Sequence, residues 1–80
     1  MKTAKLVAYV KVDGKDAGEL RLAEKGDVWP GYDQSVPLQS AGYWYGTHGK
    51  HEYLGKNYED AKEIIENNYG ATLEELKEAY

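Results

Sequence analysis

Between Lys5 and Val12 the residues alternate, with Leu6, Ala8, Val10 and Val12 on one side and Val7, Tyr9 and Lys11 on the other. That is the period of a half-buried strand. Asp13-Gly14 then turns the chain into a second strand, roughly 18–23, where Leu20 and Leu22 face inward and Glu19 and Arg21 outward. Parity constrains the turn between them. A two-residue loop would set Val10 opposite Ala17 and Ala8 opposite Glu19, burying a carboxylate and exposing both leucines. An odd loop of three or five residues, with Gly14 in a left-handed bulge conformation, instead places Leu6 and Ala8 opposite leucines, and this is the register the pattern predicts.

A second hairpin is expected at 42–54. The runs 43–46 and 50–54 are prone to form strands and flank His48-Gly49, where glycine supplies the positive φ of a tight turn. After it the period becomes helical. Asn57 is placed to cap a helix, Glu59 and Asp60 sit in the first turn where the dipole favours acids, and Gly70 stops it. Tyr58, Ala61, Ile64, Ile65 and Tyr69 form its apolar stripe. Thr72 and Glu75 have the spacing of a capping box, which predicts a second, shorter helix with Leu73 and Leu76 on its buried side. The expected fold is thus a single α+β domain over 1–80. It has an antiparallel sheet of three to four strands in two hairpins, one C-terminal amphipathic helix across it and a short terminal helix. Leu6, Ala8, Val10, Leu20, Leu22, Ile64 or Ile65, Leu73 and Leu76 are the expected core.

Residues 24–41 have no clean period and contain Gly26, Pro30, Gly31 and Pro37. This is a long irregular connection of a kind often used for function, with a short strand near 35–39 as one option. In Trp29-Pro30-Gly31-Tyr32 the proline and glycine suit the middle of a type II turn that brings both rings together. Those rings either lid the open end of a small core or make an aromatic contact loop.

Bulk composition excludes several function classes. With no cysteine, disulfides, thiolate metal sites and thiol catalysis are ruled out, and the composition fits the cytoplasm. No run approaches the roughly 18 apolar residues of a membrane span, and no cleavage site follows the basic N-terminus. The net charge of −4 is uneven. Residues 1–56 carry eight basic and seven acidic groups, whereas 57–80 carry two and seven. Glu59, Asp60, Glu63, Glu66, Glu74, Glu75 and Glu78 make this an acidic lobe, which argues against binding phosphate backbones and leaves a basic protein partner open.

His48, His51 and Glu52 are the nearest approach to a metal or acid–base site, with Asp33 as a remote fourth group, but their spacing matches no known ligand set. Nucleophile elbows, phosphate loops and paired-carboxylate motifs do not occur, so neither an enzyme nor a cofactor is expected. The aromatic residues carry more information, because eight tyrosines and two tryptophans stand against no phenylalanine. Alternation sends Tyr43 and Tyr45 to one face and Trp44 to the other, so one set is left outside the helix-covered core. Trp29, Tyr32, Tyr43, Trp44, Tyr45 and Tyr53 are the candidate contact patch. A stacking platform for nucleic acid or carbohydrate is the alternative use, although Arg21, Lys50 and Lys56 make a poor cationic groove. In size, acidity, lack of cysteine and hairpin-plus-helix plan the chain is similar in style to phage-encoded accessory proteins, including inhibitors of host defence. That resemblance implies that the acidic lobe imitates a phosphate array and occupies a nucleic-acid-binding surface on a host protein, and the aromatic patch on its own makes a non-enzymatic protein-binding module the expected function. An exposed edge strand leaves homodimerisation open.

Overall fold

A computed structural model describes residues 2–30, 37–47 and 51–76. The first hairpin joins β1 (Lys5–Val12) to β2 (Lys15–Ala23) through a loop of only Asp13 and Gly14, both at positive φ, with Val12 opposite Lys15. This corrects the expected odd loop. Parity is restored inside the strand: Lys11 faces Asp16 but Val10 faces Gly18, so Ala17 is an extra residue, a bulge that brings Ala8 opposite Leu20. A second irregularity at Val7 shifts the pairing back, and Leu6 faces Arg21 rather than a leucine.

The remaining strands are β3 (Gly42–Gly46), β4 (His51–Gly55) and β5 (Thr72–Glu75), with helix α1 (Tyr58–Asn68) between the last two. The sheet has five strands in the order β4-β3-β2-β1-β5, and every neighbouring pair is antiparallel. The expected three or four strands therefore become five, and the expected terminal helix is a strand. Its residues pair with the outer edge of β1, Thr72 with Lys11 and Leu73 with Val10. A helix of so few residues gains little from its own hydrogen bonds, whereas strand pairing satisfies an otherwise open edge and seats Leu73 against the core.

Asn57 caps α1 as expected, its side chain accepting from the Glu59 and Asp60 amides at 2.8 and 3.3 Å. After Gly70 at φ 61°, the Ala71 amide returns to the Ile65 carbonyl and directs the chain into β5. Because strand direction alternates across the sheet, β4 and β5 run parallel, and α1 is the crossover that carries the chain from one sheet edge to the other. Gly42 must be glycine: at φ 142°, an added Cβ would lie 2.5 Å from the Gly55 carbonyl oxygen.

Two apolar clusters result. On the helix side Ala8, Val10, Leu20, Leu54, Ala61, Ile65 and Ala71 are buried. Leu22 and Leu76, expected in that core, are instead 38% and 40% exposed, because the helix does not reach the end of the sheet where they lie. On the opposite side Ala4, Ala23, Trp29 and Leu38 are buried with Trp44 packed against them. The connection after β2 is held there by backbone bonds, Ala4 to Val28 at 3.0 Å and Leu38 to Asp27 at 2.7 Å, and by a parallel bridge between Thr3 and Val28. Pro37 to Gln39 form no strand, and the rest of the optional strand lies outside the described residues. Among the described residues no helix is long and apolar enough to cross a membrane.

Ile65 is fully buried where helix and sheet meet, so Ile65→Ala should cost about 2–5 kcal/mol, read as a lower midpoint in urea unfolding.

Candidate functional site

The aromatic residues divide between the two faces as strand alternation requires. Tyr43 and Tyr45 face the helix, where Tyr43 meets Tyr58 edge-on at 5.5 Å and Tyr45 meets Tyr69 at 4.9 Å. Trp44 faces the connection, next to Tyr53 at 5.1 Å and His51 at 5.5 Å. The His51 ring also stacks on Trp29, at 5.8 Å and 18°. Trp29, His51, Trp44 and Tyr53 thus form a continuous series of rings across one sheet face.

Trp29 is 3% exposed, which corrects its place in an exposed contact patch. One face of its indole is covered by the Arg21 guanidinium at 5.8 Å, and its Nε1 donates to the Thr47 carbonyl at 3.2 Å. The Trp44 Nε1 donates to the Ser40 carbonyl and the Tyr53 hydroxyl to the Ala41 carbonyl, both at 3.0 Å. The two indole N–H groups find partners in this way because an unmade hydrogen bond is costly. Of the series Tyr53 is the most open, at 38%. Tyr32, His48 and Asp33 lie outside the described residues, and among those described no cluster of three ligating side chains occurs.

Sequence reasoning missed the cavity beside this series, of about 500 Å³, lined by Tyr9, Glu19, Arg21, Trp29, Pro30 and Thr47 among others. Strand alternation predicts Arg21 on the solvent side of β2. It does point away from the helix, but the returning connection covers it, leaving its side chain 14% exposed. Its Nε donates to Glu19 at 3.0 Å and its Nη1 to the Ala4 carbonyl at 2.7 Å. No local signal marks this role, since it arises only when residues distant in sequence fold over the strand. The cavity therefore combines aromatic walls with a neutralised ion pair.

The acidic lobe occupies the other side. Glu59, Asp60, Glu63, Glu66, Glu74 and Glu75 are all exposed on α1 and β5, while Glu78 lies outside the described residues. Two tyrosine hydroxyls fix this lobe to the sheet. Tyr58, at the start of α1, donates to Glu75 on β5, and Tyr69, just past its end, bonds Glu52 on β4. Burial, followed by the Glu75 bond, raises the Tyr58 hydroxyl well above the usual tyrosine range. The Glu52 bond, then burial, pushes Tyr69 up to about 12.

Comparison with protein families, curated proteins and solved structures finds no match.

Two outcomes are expected from this geometry. Trp29→Ala should lower stability on the order of 3–5 kcal/mol in chemical denaturation, as befits a core ring. Because both tyrosines have raised pKa values in the folded state, their contribution is complete below the ordinary tyrosine value near 10. The share of Tyr69 is lost as pH climbs through about 12, and that of Tyr58 only at higher pH. The urea midpoint should fall across that window, and less steeply in Tyr58→Phe or Tyr69→Phe.

Proposed function

We propose that this chain is a small non-enzymatic protein-binding module that presents the outward side of α1 and the adjoining β5 to a basic partner in the cytoplasm. The observation that carries this reading is the setting of Glu63. It is exposed and has Glu59, Asp60 and Glu66 at the neighbouring positions one helical turn away. Like charges at these spacings weaken a helix by about 0.2–0.5 kcal/mol per pair, and Lys62 is the lone cation on α1. A surface selected for stability alone would alternate its signs. A concentrated negative field accelerates encounter with a positive surface and penalises wrong partners. It also suits an accessory or inhibitor protein that occupies the phosphate-binding groove of a nucleic-acid-binding protein.

The cavity beside Trp29 favours a second reading, a ligand platform. Its volume falls within the range of roughly 300–1,000 Å³ typical of small-ligand sites. Against it, the indole face is already covered by Arg21 and His51.

The deciding experiment uses Glu59→Gln, Glu63→Gln and Glu66→Gln together. The triple variant should keep or raise its thermal midpoint, since repulsion is relieved, while capture of the partner drops at least tenfold. Capture by the parent chain should weaken steeply with added salt, and free oligonucleotide should not bind. Undiminished capture by the triple variant would overturn the acidic-face reading, and saturable oligonucleotide or sugar binding would favour the platform.

A further inference from the structure

The place of β5 in the sheet carries more than its charge. Among the described residues it is an edge strand, paired to β1 on one side only. The Leu76 amide donates to the Val7 carbonyl at 3.3 Å, so by strand alternation Leu73 and Glu75 turn their own N–H and C=O groups outward. Such an edge is a template for another strand. Its charges decide which strand it can accept. Glu74 and Glu75 fall on opposite faces, Glu75 toward the helix and Tyr58, Glu74 toward Tyr9. The neighbouring cation Lys11 is already paired with Asp16. A second copy of β5 would bring carboxylates against carboxylates on both faces, whereas an incoming strand with basic side chains would be attracted on both.

An apolar anchor point lies beside the same strand. Where α1 stops short of the end of the sheet, a groove of about 420 Å³ is lined by Lys5, Val7, Leu22, Tyr43, Tyr58 and Leu76 among others. Two of the four large apolar side chains exposed among the described residues, Leu22 and Leu76, lie in this one groove. Lys5 and Glu75 supply charge at its lining. An open backbone edge, acids on both faces and an adjoining apolar groove together describe a complete receptor for an extended peptide.

We propose that β5 is the docking edge for an extended, basic segment of the partner protein, which adds a sixth strand and places an apolar side chain against Leu22 and Leu76. This rests on the acidic-face reading and specifies how the partner is held: by main-chain bonds to Leu73 and Glu75, by Lys or Arg side chains facing Glu74 and Glu75, and by one apolar anchor.

The test titrates the isotope-labelled chain with the capped peptide Thr-Lys-Lys-Thr-Leu-Thr, whose adjacent lysines point to opposite faces of a strand and whose leucine shares a face with one of them. A second peptide has the same sequence with alternate backbone nitrogens methylated, which removes donors without changing charge. Binding of the first should slow hydrogen exchange of the Leu73 and Glu75 amides at least tenfold, and N-methylation should weaken affinity at least tenfold. Leu76→Ala and Glu74→Lys should each weaken it several-fold with the fold intact by amide spectra. Equal affinity for both peptides overturns strand addition. If that binding is still lost in the Glu59, Glu63 and Glu66 triple Gln variant, the acidic-face reading survives alone. N-methyl-sensitive protection of β5 that persists in the triple variant supports the edge and removes the helix acids from the contact. Protection that appears without peptide and grows with protein concentration assigns the edge to a second copy and overturns the proposal.

Discussion

One extra residue in β2 sets the register on which both sides of the sheet depend. The Asp13-Gly14 turn closes the hairpin with the parity that would send Glu19 into the helix-side core, and the bulge at Ala17 reverses it. From that point Leu20 lies fully buried beneath α1, while Glu19 and Arg21 form their ion pair on the opposite face. Each later strand inherits this choice, since Leu20 faces Tyr45 and Arg21 faces Trp44. Deleting the bulge would exchange the two faces strand by strand.

With the faces fixed, the chain covers each by a different means. The helix covers one with Ala61 and Ile65. The connection covers the other with Trp29 and Leu38, tied to the N-terminal segment through Val28. A small domain without disulfides has little core to draw on, and splitting it across a sheet keeps both sides out of water. Covering both faces in this way leaves the helix exterior and the sheet edges as the surfaces open to partners.

What could be read from the residues was what local chemistry decides. Asn57, the acids after it and Gly70 bracket α1, and alternation placed Trp44 opposite Tyr43 and Tyr45. Readings failed where distant partners decide. Thr72 to Glu75 contain a helix-start signal, yet an open strand edge elsewhere in the fold offered them better pairing. Trp29 sits in a polar, irregular stretch with no period to announce burial, and its partners Arg21, Thr47 and His51 come from β2, from the residue after β3 and from β4. The bulge at Ala17 was invisible for a related reason: the hydrophobic pattern demands an odd offset but does not say whether the turn or the strand supplies it. The acidic residues were read directly as a group, and the fold adds that α1 and β5 carry them side by side.

The crossover through α1 also sets an order of events in folding. Strands β1 and β2, and β3 and β4, can form as hairpins with short-range closures, and the two hairpins join once the connection after β2 has returned, but β5 must reach back past all of them to β1. While the chain is being synthesised, the outer edge of β1 stays open until α1 has been laid across the sheet and β5 emerges. Leu73 and the Tyr58–Glu75 bond then act as the closing latch, and this last-formed element is also the one expected to open first in native-state fluctuations.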